Sequence, residues 1–139
     1  HKGSGARGVG LVQGLGLRTG AVASTVAHDS HNLIIAGTDE EKMARAGNYL
    51  AEHGGGMVVV TDRIDAVSLQ IGGLMSTGGI ADVAAEYKQL RQAAERTGSE
   101  VDELFMTLSF LALPVIPELK ITSNGLVDVN EFSLVPLTV

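Results

Sequence analysis

The sequence predicts an α/β fold, a mixed β-sheet with about three helices packed on it and including one βαβ unit. Three observations carry that prediction. Residues 33–37 are a continuous apolar run of strand length ending in glycine, and Met57-Val58-Val59-Val60-Thr61 is a second strand-like run. Between them, apolar residues recur at helical spacing from Met43 to Ala51. Glycines and short polar runs then punctuate the joints.

Taken in order, residues 1–10 are small, basic and glycine-rich, and are expected to form a flexible arm. Apolar and small residues alternate over 9–17, and 20–26 repeats the habit. A hairpin around Arg18-Thr19-Gly20 is therefore expected. The polar stretch 28–32 interrupts the pattern before the buried strand 33–37. Thr38 with Glu41 three positions later reads as a capping box. Met43, Ala46, Gly47, Leu50 and Ala51 then mark a helix face that ends at Gly54. Strand, helix, strand in that order predicts the βαβ unit, with 33–37 and 57–61 paired in parallel.

Asp62-Arg63 turns the chain into a further strand over 64–69, which makes the predicted sheet mixed. A glycine-rich loop over 72–79 leads to a second helix with Ile80, Val83, Ala84, Tyr87, Leu90 and Ala94 on one face, closed by Gly98. Residues 103–113 are almost wholly apolar without a turn signal. That favours a buried helix ending before Pro114, a strand being the alternative. In the tail, 119–122, the Ser123-Asn124-Gly125 turn, 126–129 and 132–135 read as a hairpin or meander.

A chain of 139 residues fits one domain over 1–139 and is long enough to bury a core without staples. Ten Lys and Arg against sixteen Asp and Glu give a net charge of -6, and the basic residues are scattered. That argues against a nucleic-acid partner. There is no cysteine, so disulfides and thiolate metal sites are excluded, and a cytoplasmic location is expected. The longest apolar stretch is broken by Thr107, Ser109, Pro114 and Pro117, too short to span a bilayer, so no membrane partner is expected. The sequence opens at His1 within a glycine-rich passage, without an initiator Met, and is expected to be part of a longer polypeptide.

The densest chemical cluster is His28, Asp29, Ser30, His31 and Asn32, five hydrogen-bonding side chains in a row. Imidazoles three apart converge if the segment curls into a helical turn, and point to opposite faces if it is extended. Three readings stand side by side. His28 and His31 are weak candidates for a metal, one or two ligands short of an ordinary zinc site. Alternatively, the block is an Asx-type turn satisfying local backbone. In the third reading it meets a substrate or site supplied by another domain, with Asp29 or Asn32 fixing imidazole tautomers.

Other motifs carry less. Gly54-Gly55-Gly56 precedes a strand instead of opening a helix, so it suits helix termination better than phosphate binding. Gly8, Gly10, Gly14 and Gly16 have the wrong spacing for a dinucleotide fingerprint. Ser76 has no adjacent base, so its glycine-rich loop reads as a lid or interface loop. Phe105, Met106, Leu108, Phe110, Leu111 and Leu113 read as core, and Glu118 as a solvated or capping carboxylate.

Several blocks together resemble the C-terminal domain of adenine deaminases: 20–24, Ala27 with His28-Asp29-Ser30-His31-Asn32, Gly54-Gly55-Gly56, Gly73-Leu74-Met75-Ser76, and above all 105–120 from Phe105 to Lys120. The likeness spans nearly the whole chain. It implies a role in purine salvage and adenine catabolism within an enzyme that hydrolyses adenine to hypoxanthine and ammonia, with adenine as substrate. It further implies a preceding N-terminal amidohydrolase barrel holding a manganese or iron pair, and a homo-oligomer. The barrel's His-x-His motif has no counterpart here, where the histidines are His1, His28, His31 and His53. The resemblance thus implies metal-activated hydroxide chemistry outside this chain, no metal within it and no catalytic residue of its own. His28, Asp29, Ser30, His31 and Asn32 are the implied active-site loop. The alternative is a structural or oligomerisation domain with no direct catalytic role.

Overall fold

The computed structural model describes residues 5–138. Its elements run β1 (Ala21–Ser24), β2 (Ile34–Gly37), α1 (Glu40–Glu52), β3 (Gly56–Val60), β4 (Ile64–Ser68), α2 (Ile80–Glu95), α3 (Leu104–Phe110), β5 (Leu119–Thr122), β6 (Gly125–Asp128) and β7 (Ser133–Val135). Four strands form one sheet in the order β2-β1-β3-β4, and the last three form a meander in the order β5-β6-β7.

The α/β class with three helices stands, while the predicted pairing needs correction. Every neighbouring strand pair is antiparallel, so the main sheet is not mixed. β2 and β3 do run parallel on either side of α1, but β1 lies between them: Ala21 pairs with Gly37 on one side and with Val60 on the other. The predicted βαβ unit is therefore split by a strand.

Both faces of this sheet are covered, which is why its strands read as unbroken apolar runs. Ala21, Ala23, Val58 and Val60 point to α1, where they meet Ala46 and Leu50. Val22, Ile34, Ala36, Val59 and Val67 point the other way, to Leu90 and Ala93 of α2 and Leu104, Phe105 and Leu108 of α3. Side chains that alternate between two buried faces give up the polar positions that normally mark an antiparallel strand.

Other expectations shift locally. Residues 9–17 form no strand: the Arg18 and Thr19 amides both donate to the Thr97 carbonyl, and the Ser99 hydroxyl donates to the Leu15 carbonyl at 2.6 Å. These bonds tie the segment to the end of α2, in place of the hairpin. Of the arm foreseen over 1–10, residues 1–4 lie outside the described residues. Gly8 lies against the meander, where a Cβ would collide with the Thr122 carbonyl oxygen.

The N-cap of α1 is Asp39, whose Oδ1 accepts from the Lys42 amide at 3.0 Å. Thr38 is not the cap, because its own amide still extends the ladder to the Gly20 carbonyl. At the other end, Gly54 has φ +78 and the Gly55 amide donates to the Leu50 carbonyl, the glycine-ended closure that the triple glycine suggested. Among the described residues, no helix is long and apolar enough to cross a membrane.

Candidate functional site

The polar block lies between the end of β1 and the start of β2, and its shape is set residue by residue. At the end of β1, the Ser24 hydroxyl accepts from the Val26 amide at 2.9 Å and turns the chain. Thr25 then fastens three segments together. Its Oγ1 accepts from the Gly56 amide at 2.8 Å and donates to the Gly73 carbonyl at 2.6 Å. The glycines there are required by proximity, since a Cβ on Gly55 would lie 2.5 Å from the Gly73 Cα and 2.9 Å from Thr25 Oγ1.

On this base the block curls. The His31 amide donates to the Ala27 carbonyl at 2.7 Å, closing one turn, and His31 itself takes φ +48. The curl brings His28 and His31 together, with ring centroids 6.4 Å apart and tilted by 49°. His28 also meets the ring of Phe110 on α3 at 5.5 Å. Its Nδ1 is buried without a hydrogen-bond partner among the described residues. A buried polar atom left unpaired is uncommon and costs about 1–3 kcal/mol. Asp29, Ser30 and His31 are exposed, whereas His28 and Asn32 are half-buried.

The manganese or iron implied by the sequence resemblance does not fit these residues. Among the described residues, no three His, Cys, Asp or Glu gather closely enough to hold a metal ion. Two imidazoles without a third ligand do not make a metal centre. The block presents hydrogen-bonding groups instead.

The remaining motifs settle into structural roles. The Ser76 hydroxyl accepts from the Gly78 amide at 3.0 Å, a turn contact. Glu118 is exposed, and its carbonyl accepts from the Val129 amide. A separate cleft of ≈ 430 Å³ lies beside α2, lined by Arg18, Tyr87, Arg91, Glu100 and Phe105 among others, and none of residues 28–32 borders it. Its two arginines meet opposite charges: Arg91 pairs with Glu103 at 3.5 Å and Arg18 with Glu100 at 3.9 Å. Burial, reinforced by the Glu103 carboxylate, pushes the Tyr87 phenol up from its ordinary value.

Two residues of the site escaped the sequence reading. Thr25 carries no motif, and its role appears only when three distant segments meet. Phe110 was read as core with its neighbours, yet it is 40% exposed. Helical spacing contains that signal, because 106 and 110 fall off the stripe made by 104, 105 and 108.

Comparison with known proteins gives this geometry a family. The family described as the adenine deaminase C-terminal domain matches residues 1–133. The adenine deaminase of Methanothrix thermoacetophila is 53% identical over 138 residues, which cover 99% of this chain and 24% of that protein. Adenine deaminase 2 of Carboxydothermus hydrogenoformans is 50% identical over 99% of this chain and 25% of its own length. The adenine deaminase of Moorella thermoacetica is 48% identical, over 99% and 23% respectively. The chain thus spans about a quarter of the length of the curated relatives it matches. With the family match covering the polar turn, the paired glycine loops and α3, this chain belongs to the adenine deaminase C-terminal domain family.

Proposed function

We propose that the chain serves as the C-terminal domain of an adenine deaminase, and that its 28–32 turn faces the active site of an N-terminal amidohydrolase barrel. The whole enzyme would hydrolyse adenine to hypoxanthine and ammonia in purine salvage in the cytoplasm, as a homo-oligomer. The manganese or iron for that chemistry would be held in the barrel, since the residues here do not suit it, and no chemical step is assigned to this chain.

The observation that carries this reading is the turn itself. It holds His28 and His31 on one side, with a buried nitrogen of His28 lacking any partner within the described residues. The exposed Asp29, Ser30 and His31 side chains of the same turn face outward, where groups of another domain can complement them. From that position the turn supplies hydrogen bonds to the edge of the purine or to metal-site carboxylates, and helps exclude water.

The test is adenine turnover by the full-length, manganese-loaded enzyme with His28→Ala and His31→Ala. A fall in turnover per folded enzyme, with the thermal midpoint held, is expected. Unchanged turnover, or a full-length parent that leaves adenine untouched, sinks the reading. A structural or oligomerisation domain is the second reading, favoured by the exposure of Phe132 at 91% and Leu134 at 61%. Under it the same variants shift oligomer size or stability and leave turnover alone.

A further inference from the structure

The face of α3 beside the polar turn carries a feature that hydrogen bonding does not use. Leu104, Phe105 and Leu108 bury themselves in the core, whereas Met106 and Phe110, one helical turn apart, stand 49% and 40% exposed. Exposure of two large apolar side chains on a helix otherwise given to the core costs hydrophobic stabilisation. Phe110 is also not merely surface, for its ring meets the half-buried His28 at 5.5 Å with a tilt of 50°. An aromatic ring therefore borders the turn that carries the two imidazoles and the unpartnered nitrogen, and the Met106 thioether lies one helical turn before Phe110 on the same exposed face of α3.

A flat heteroaromatic base is held by two complementary kinds of contact, a ring or thioether against its face and hydrogen bonds at its edge. The imidazoles of the turn suit the edge. We propose that Phe110 is a substrate-contacting specificity residue of the full enzyme, its ring covering one face of the purine, with Met106 extending that apolar wall. This rests on the reading of the chain as a domain of an adenine deaminase whose polar turn faces the active site. A contact made equally in the bound ground state and in the transition state changes KM while leaving kcat alone.

The experiment compares the full-length, manganese-loaded enzyme with its Phe110→Ala, Phe110→Leu and Phe110→Tyr variants, by steady-state kinetics with adenine and equilibrium binding of hypoxanthine. Loss of base–aromatic stacking predicts that F110A raises KM about tenfold and weakens hypoxanthine binding to match. F110L, which keeps apolar volume without a π-face, falls between, and F110Y restores parental values. The kcat of each variant stays within about twofold of the parent by the same uniform-binding argument. F110L keeps the test decisive if F110A fails to fold. Parental KM and hypoxanthine affinity in a folded F110A or F110L overturn the proposal, and a drop in thermal midpoint alone reassigns Phe110 to domain packing. A parent inactive on adenine would instead overturn the underlying functional reading, and this proposal with it.

Discussion

His31 sits at φ +48, a left-handed conformation that costs an L-residue about 1–2 kcal/mol relative to glycine. Glycine would relieve that cost but lose about 0.5–1 kcal/mol through the greater freedom of its unfolded chain. His31→Gly is therefore expected to match the parent's thermal midpoint or exceed it by a few degrees, measured by calorimetry. A marked fall would show that the imidazole contributes packing or hydrogen bonds to the fold. If the midpoint holds while the full-length enzyme loses turnover, the side chain is retained for function, in keeping with strain stored at working sites. Thr25 is the opposite case, a residue whose importance is structural. Thr25→Val leaves the Gly56 amide and the Gly73 carbonyl unpaired, and should cost about 1–3 kcal/mol in urea denaturation. Thr25→Ser keeps the hydroxyl and should recover most of that. Equal stability of both variants would remove Thr25 as the fastening point of the turn.

At the scale of the element, α1 shows how a local electrostatic contact reports on folding. The Lys42 amide bonded to Asp39 holds its carboxyl below the ordinary 3.8. A depressed folded-state value means that the ionised cap contributes stability above the unfolded value, and that this is lost as pH falls through 3.8 toward the folded value. Asp39→Ala should thus lower the thermal midpoint by a few degrees near neutral pH, with the difference from the parent shrinking below pH 3.8. A difference independent of pH would assign the effect to something other than the ionised cap. The helices and most strands were legible because their cues are local: Met43, Ala46 and Leu50 at helical spacing, Gly54 as the stop, Asn124-Gly125 as the turn. Asp39 displaced Thr38 as cap because the sheet ladder runs one residue further than local chemistry implies. The polar turn was legible for the same local reason, five polar side chains in a row, while its apolar neighbour Phe110 was hidden among core residues of like character.

For the whole molecule, the pairing of strands was the part beyond local reading. Val58 and Val59 are both buried, one toward α1 and the other toward α2 and α3. An apolar strand covered on both faces looks the same whether its neighbours run parallel or antiparallel, so the direction of β1 between β2 and β3 had no local signature. The same arrangement divides the buried side chains into two clusters separated by the sheet, and it makes a quantitative claim. Leu50 belongs to the cluster under α1 and Ile34 to the one beneath α2 and α3. Leu50→Ala should cost about 2–5 kcal/mol and Ile34→Val about 0.5–1.5 kcal/mol. Without shared side-chain partners, the double variant should lose their sum to within about 0.5 kcal/mol in urea denaturation. The summed loss, about 2.5–6.5 kcal/mol, lies within most of the roughly 5–15 kcal/mol range available to a domain, and Leu50→Val in place of Leu50→Ala keeps the double variant folded where the parent sits at the low end. A coupling well above that tolerance would mean that displacement of β1 or β3 carries strain from one face to the other. The polar turn, which hangs from the end of β1, would then sense the packing beneath α1 as well as that of α3.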